Sequence, residues 1–438
     1  MTSTPATAGR TNVRWMICVL VFLATTIIYS DRSFLGQLKS TLGTTPGIML
    51  TGSQFGMINS LMLGAYAVSV LFAGRLIDRV GIKNGYAITL VLWSLAAFSH
   101  TLVASVGGLM AARIFLGLSE AGNFPAAIKT IAQWFPAAER AFATALFNSG
   151  ANVGSIIAPA LVAWLLAGGF SWHSPFFIAS VSGLGWLALW WMTYSAPEKN
   201  SLVSPGELAW IRRDPAQPQE SGPAVSWLGL VSHRQAWSFA VAKFLTDPVW
   251  FFLLFWLPDY FKSTRDLDIK NSWPHLMTIY AVITVLSLVG GYVPGYLMRR
   301  GWSVTLARKT ALFCFALLVI PILFVGLAGN WTAVLLIGLV GSAHQAWSAN
   351  LFTTVSDMFP RNSVASVIGL GTMAGGIGSM IFQYICGSLR DAYGASNAGS
   401  AYFVLFAYAA CAYLVAFGLQ HLLAPKFTPI SLEGDPRI

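Results

Sequence analysis

Residues Val106 to Ile128 read VGGLMAARIFLGLSEAGNFPAAI, an apolar stretch long enough to cross a bilayer that still carries a cation, Arg113, and an acid, Glu120. A spacing of seven is two helical turns, so the two side chains share one face about 10 Å apart. Ionisable groups at membrane depth cost several kcal/mol unless they pair or line a wet cavity, so they point to function. A structural ion pair inside a helix bundle is the other reading. Asp31 and Arg32, near the end of the first apolar stretch, tip the balance toward function.

The composition around this stretch sets the class. Hydrophobic residues make up 56% of the chain and charged residues 10%, and the mean hydropathy is +0.65. That excludes a water-soluble globule with an ordinary surface and implies an integral membrane protein. At roughly 20 apolar residues per crossing, 438 residues have room for about twelve helices. Apolar stretches run near 15–36, 55–77, 85–105, 107–131, 142–167 and 175–195, and again near 236–262, 275–298, 309–328, 331–356, 363–388 and 398–423. The interval from Pro197 to Arg234 holds Pro197, Pro205, Pro215, Pro218 and Pro223 among mixed charges and reads as a linker. The expected organisation is an all-α membrane protein of twelve helices in two pseudo-symmetric bundles, 1–196 and 235–438, joined by 197–234.

Basic residues orient the chain. Most of the 26 Lys and Arg fall in the tails and even-numbered loops, among them Arg14, Arg75, Arg79, Lys83, Arg140 and Arg308, whereas Lys39, Lys262, Arg265, Lys270 and Arg390 are assigned to odd-numbered loops. This bias puts both termini and the linker in the cytoplasm. The net charge of +10 is spread over many short loops, which argues for membrane topology and against nucleic-acid binding. Although Arg10 and Arg14 precede the first apolar run, that run is too long for a cleaved signal and is expected to stay as span 1. The four cysteines, Cys18, Cys314, Cys386 and Cys411, lie in apolar spans without metal-ligand spacing, and read as buried free thiols.

An internal repeat supports two halves. Phe135-Pro136 recurs as Phe359-Pro360, and the same offset maps Gly117 onto Gly341, Gly154-Ser155 onto Gly378-Ser379 and Glu120 onto His344. Gly74-Arg75-Leu76 matches Gly295-Tyr296-Leu297 at the ends of spans 2 and 8. Parallel six-helix halves place a substrate site between them at mid-membrane.

The segment from Gly74 to Lys83, with Asp78, Arg79 and Gly81, resembles the loop signature between spans 2 and 3 of the major facilitator superfamily. The resemblance implies that Gly74, Asp78 and Arg79 belong to a cytoplasmic latch between helix ends. Within that superfamily the chain is similar to the anion:cation symporters, most of all their hexuronate branch. The matching residues are Tyr29-Ser30-Asp31-Arg32, Ala112-Arg113 through Glu120-Ala121, Trp134-Phe135-Pro136 to Glu139-Arg140, Phe147-Asn148-Ser149-Gly150, Lys243 through Trp250, and Ala343-His344-Gln345-Ala346. What the resemblance implies is a proton-coupled importer of a carboxylate-bearing sugar acid such as glucuronate or galacturonate, acting as a monomer in the inner membrane without a cofactor. The implied alternative is another organic anion, such as an aldonate, aldarate or aromatic acid. By the same resemblance Tyr29 and Arg32 touch the substrate, Arg113 tunes the neighbouring acid, and Asp31 and Glu120 carry protons. Related aldonate carriers place a glutamine where this chain has Ala151, so polar contacts there fall to Asn148 or Asn152.

The residue chemistry supports those roles independently. A guanidinium grips a carboxylate with two parallel hydrogen bonds and stays charged, which makes Arg32 the natural anchor. Tyr29 lies three residues earlier on the same helix face. In the second half, Asp247-Pro248 interrupts span 7 and is a candidate gate. Lys243 and Asp247, four apart, fit a local ion pair as well as a ligand contact. Trp250 is a candidate for stacking on a sugar ring, and Trp256 and Trp347 share the chemistry, although membrane tryptophans are more often packing groups or interfacial anchors. His344, Gln345 and Asn350 are candidate polar contacts, with a packed histidine equally open at position 344. Gly371, Gly375, Gly376 and Gly378 read as close helix packing and not as a phosphate loop. The six histidines are scattered and no nucleophile sits beside a base, which argues against a membrane enzyme.

Overall fold

The computed structural model describes residues 11–213 and 227–429. Arg10, Arg437 and the linker prolines Pro215, Pro218 and Pro223 lie outside the described residues. The helices are α1 (Val13–Thr44), α2 (Gly52–Val80), α3 (Ile82–Ser99), α4 (Val106–Glu120), α5 (Asn123–Trp134), α6 (Ala137–Ala167) and α7 (Ser174–Thr193), then α8 (Pro205–Ile211) and α9 (Trp227–Val231) in the linker, and α10 (Arg234–Arg265), α11 (Ile269–Arg299), α12 (Val304–Leu317), α13 (Asn330–Met358), α14 (Arg361–Tyr393) and α15 (Ala398–Leu423). Among the described residues, ten helices are long and apolar enough to cross a membrane. The α4–α5 pair and the more polar α13 fill the two remaining expected spans.

Local chemistry sets the helix ends. Thr51 and Gln54 form a reciprocal capping box at the start of α2. Ser105 and Asp268 cap α4 and α11 by accepting the amides of Gly108 and Asn271, each at 3.2 Å. Span 4, read from sequence as continuous, is broken between Glu120 and Asn123. Pro125 has no N–H to offer the carbonyl of Ala121, and its ring crowds that turn. Glu120 is therefore the last residue of α4, which brings a carboxylate to a helix break in the bundle interior.

Packing follows the internal repeat. In the first half α1 packs on α6, α2 on α4 and α3 on α7; in the second, α10 packs on α14, α11 on α13 and α12 on α15. The halves meet along α2–α14, α6–α11 and α1–α10, again as symmetric pairs. Large apolar side chains such as Leu102, Met192, Leu288 and Leu327 stay exposed, as expected where lipid is the solvent. Cys314 and Cys411 also lie on this outer surface, so only Cys18 and Cys386 are the buried thiols the sequence suggested.

Every hydrogen bond and ion pair that joins the two halves among the described residues lies on the face away from the linker, here called the far face. Asp391 of α14 accepts the amides of Gly52 (2.8 Å) and Ser53 (2.7 Å) at the start of α2. Lys39 of α1 pairs with Asp259 of α10 at 2.6 Å. Lys39 and Arg390, assigned to loops from sequence, are helical because α1 and α14 run past their apolar stretches, and both side chains are largely buried.

Candidate functional site

The site is built around Arg32, which α1 holds at the junction of the two halves. Its Nε donates to Glu120 Oε2 at 2.8 Å, and Nη2 donates to the same oxygen. Three aromatic rings enclose the guanidinium: Tyr29 at 4.9 Å, Tyr66 of α2 at 5.0 Å and Phe251 of α10 at 5.8 Å. Arg32 is 3% exposed and Glu120 2%, so the pair sits where electrostatics are little screened. Glu120 Oε1 is buried without a hydrogen bond.

Arg113 does not hydrogen-bond Glu120. Its Nη1 lies 3.4 Å from the Arg32 carbonyl oxygen and 3.6 Å from Met62 Sδ, its guanidinium lies 5.7 Å from the Phe176 ring, and Nε and Nη2 are unpaired. Asp31 is fully buried, with the Trp93 side chain beside it, and it interacts electrostatically with Arg113. The first half thus holds two layers of charge. Arg32 and Glu120 face the junction, and Asp31 and Arg113 lie behind them in the bundle.

The second half contributes a more self-contained set. His344 Nδ1 is 2.6 Å from the Tyr413 hydroxyl, and its ring stacks on Trp250 at 5.5 Å. Lys243 pairs with Asp247 at 2.7 Å and lies over Phe352 at 4.7 Å. Pro248 cannot donate to the Phe244 carbonyl. Gly378 of α14 comes against that carbonyl, and Gly375 comes against the Asp247 carboxylate, so the span 11 glycines serve close approach.

Other sequence candidates are not brought to Arg32. The Asn350 side chain is bracketed by Arg308, accepting from Nη1 at 3.2 Å and donating to its carbonyl at 3.0 Å, because α12 and α13 pack there. No hydrogen bond or ring contact joins Asn148, exposed on α6, or the half-buried Gln345 to the Arg32 cluster among the described residues. Asp78 pairs with Lys129 of α5, whose ammonium also donates to the Gly74 carbonyl at 3.1 Å, while Arg79 is exposed. Asp78 is therefore held within its own half. Tyr66, Phe251, Asp259 and Asp391 are not singled out by the sequence: Tyr66 is a lone tyrosine in span 2, Phe251 is one of many aromatics in span 7, and two are acids near span ends. The helical spacing of Phe251, Phe255 and Asp259 was the one available signal.

Comparisons place the chain among known proteins. It is 32% identical over 394 residues to the hexuronate transporter of Escherichia coli (strain K12), covering 88% of this chain and 89% of that one. It is 29% identical to the probable galactarate/D-glucarate transporter GudP of Bacillus subtilis (strain 168), covering 90% and 89%. It is also 29% identical to the galacturonate transporter of Dickeya chrysanthemi, covering 70% of this chain and 90% of that one. In fold it resembles a bacterial homolog of the human lysosomal transporter Spinster in an inward-facing and occupied conformation, with TM-score 0.73, 16% identity, and 95% and 98% of the two chains covered. A D-xylose-proton symporter matches with TM-score 0.71 at 14% identity, over 96% and 99%. Residues 21–383 match the model of the Major Facilitator Superfamily, and the chain belongs to that family of membrane transporters.

Proposed function

We propose that this protein is a proton-coupled importer of a sugar acid, with a hexuronate such as glucuronate or galacturonate as the leading substrate. The observation that carries this reading is the Glu120 carboxylate bound to Arg32 among Tyr29, Tyr66 and Phe251 at the junction of the halves. An arginine that holds an internal carboxylate can hold an external one in its place. The aromatic rings offer faces for the apolar side of a sugar. The relatives' names, a hexuronate transporter, a galacturonate transporter and a probable galactarate/D-glucarate transporter, support the same substrate class.

The coupling follows from competition for Arg32. Glu120 takes a proton on its unpaired Oε1, loses its charge and releases the guanidinium, which then binds the substrate carboxylate. When the proton leaves, Glu120 reclaims Arg32 and expels the sugar acid. Asp31 is the second proton site, with Arg113 as its charge partner. The bundles 1–196 and 235–438 rock about the site, and the linker 197–234 joins them.

The Lys and Arg bias makes the linker face cytoplasmic, with both termini on that side of the inner membrane. The far-face contacts then close the extracellular entrance. Labelled sugar acids presented to proteoliposomes, with and without an inward proton gradient, test the assignment. Glu120→Gln is expected to keep substrate counterflow and abolish uphill uptake; uphill uptake by that variant overturns the mechanism.

A further inference from the structure

The seam between α1 and α10 has a regular register. The Arg32 guanidinium lies against the Phe251 ring at 5.8 Å, a Cβ on Gly36 would stand 2.7 Å from the Phe255 carbonyl oxygen, and Lys39 Nζ reaches Asp259 Oδ1 at 2.6 Å. Positions 32, 36 and 39 on one helix thus face 251, 255 and 259 on the other. Lys39 stands two turns, about 10.5 Å, beyond Arg32 on the same face of α1.

The Lys39–Asp259 pair is unequal. Asp259 Oδ2 also accepts from Arg390 Nε at 3.2 Å and from the Tyr402 hydroxyl at 2.5 Å, both in its own half. Lys39 has Asp259 as its only ion-pair partner among the described residues, and its own half adds only the Phe55 ring at 5.6 Å. Residues 33–54, 97–111 and 165–178, which form the far face of the first half, contain no Lys, Arg, Asp or Glu apart from Lys39. Separation of the halves there leaves Asp259 satisfied and Lys39 an uncompensated cation.

We propose that Lys39 is an anion-capture site of the outward-open state, which binds the carboxylate of the incoming substrate before Arg32 does. This rests on the reading of the chain as an organic-anion importer. Bound to Asp259, Lys39 closes the entrance; released from it, Lys39 draws in the anion by charge and holds it one step above the central site. When the carboxylate passes down α1 to Arg32, Lys39 is free to return to Asp259 and close the seam behind it. An electrostatic capture site raises encounter and weakens with salt.

The test compares initial uptake rates in intact cells, which fix the side of access, for the sugar acid that the wild type carries. Lys39→Gln is expected to raise the external KM by roughly 10-fold and flatten its salt dependence, with Lys39→Arg restoring it to within about threefold. Asp259→Asn breaks the same ion pair but leaves the cation, so its external KM is expected to stay level or fall. A gate without capture predicts that Lys39→Gln and Asp259→Asn shift KM together, and that result overturns the proposal, as does an unchanged KM in Lys39→Gln. Wild-type uptake reads the underlying function separately: a wild type that carries no sugar acid or other organic anion removes both readings.

Discussion

Glu120 pairs with Arg32 of the first helix, 88 residues away, and not with Arg113, two turns earlier on its own helix. Arg113 and Glu120 nevertheless both reach Arg32, one through its backbone carbonyl and the other through its guanidinium. The α4 face that carries them therefore pins the position of Arg32 and occupies its guanidinium. A proton on Glu120 would release the side chain while Arg113 still touches the backbone.

Arg32→Lys tests the need for a planar fork. An ammonium keeps the charge but loses the paired hydrogen bonds, at a cost of roughly 1.5–3 kcal/mol, or about 10- to 150-fold in substrate affinity. Binding of the sugar acid by calorimetry on purified protein should show this loss. Equal affinity in the variant would mean that Arg32 does not anchor the carboxylate.

Asp31 and Glu120 can be separated by counting protons. If Asp31 carries a proton of its own, Asp31→Asn should lower the number of protons entering per substrate while leaving counterflow in place. Parallel measurement of substrate uptake and internal acidification with a pH-sensitive dye gives the ratio. An unchanged ratio would confine coupling to Glu120.

The far-face seam depends on glycines. A Cβ on Gly56 would come 2.9 Å from Gly387 Cα, and one on Gly387 would come 2.5 Å from the Gly52 carbonyl oxygen. Gly56→Leu should therefore hold α2 away from α14 and favour the outward-open state. Spin labels at the far-face ends of these helices should move apart, with transport falling by more than about tenfold. Wild-type label distances would contradict the role assigned to this contact.

The linker helix α8 is an anchor for α1. Buried Glu207 accepts from the amides of Val13 and Arg14 and from Arg14 Nη1, each at 3.1 Å, and from the Thr11 hydroxyl at 2.5 Å. It thus places negative charge at a helix N-terminus. Removing one partner of such a buried pair typically costs about 3–5 kcal/mol, so Glu207→Ala should lower the melting temperature of the detergent-solubilised protein and expose the linker to protease. A wild-type melting curve would show that α8 is not needed to hold α1.

The twelve apolar stretches, the repeat, and the identities of Arg32, Glu120, Asp31 and Arg113 as costly intramembrane charges could be read from the chain, because hydropathy and helical spacing are local properties. What the sequence could not assign was partnership. Whether Glu120 served Arg113 or Arg32, whether Asn350 met substrate or Arg308, and that Lys39 belonged with Asp259 all depended on how helices distant in sequence pack. Span 4 also broke where Pro125 made a continuous helix unfavourable, which left Glu120 at a helix end. Local patterns specify which groups lie in the membrane, but only the packing of two bundles decides which charges neutralise one another and which must wait for a ligand.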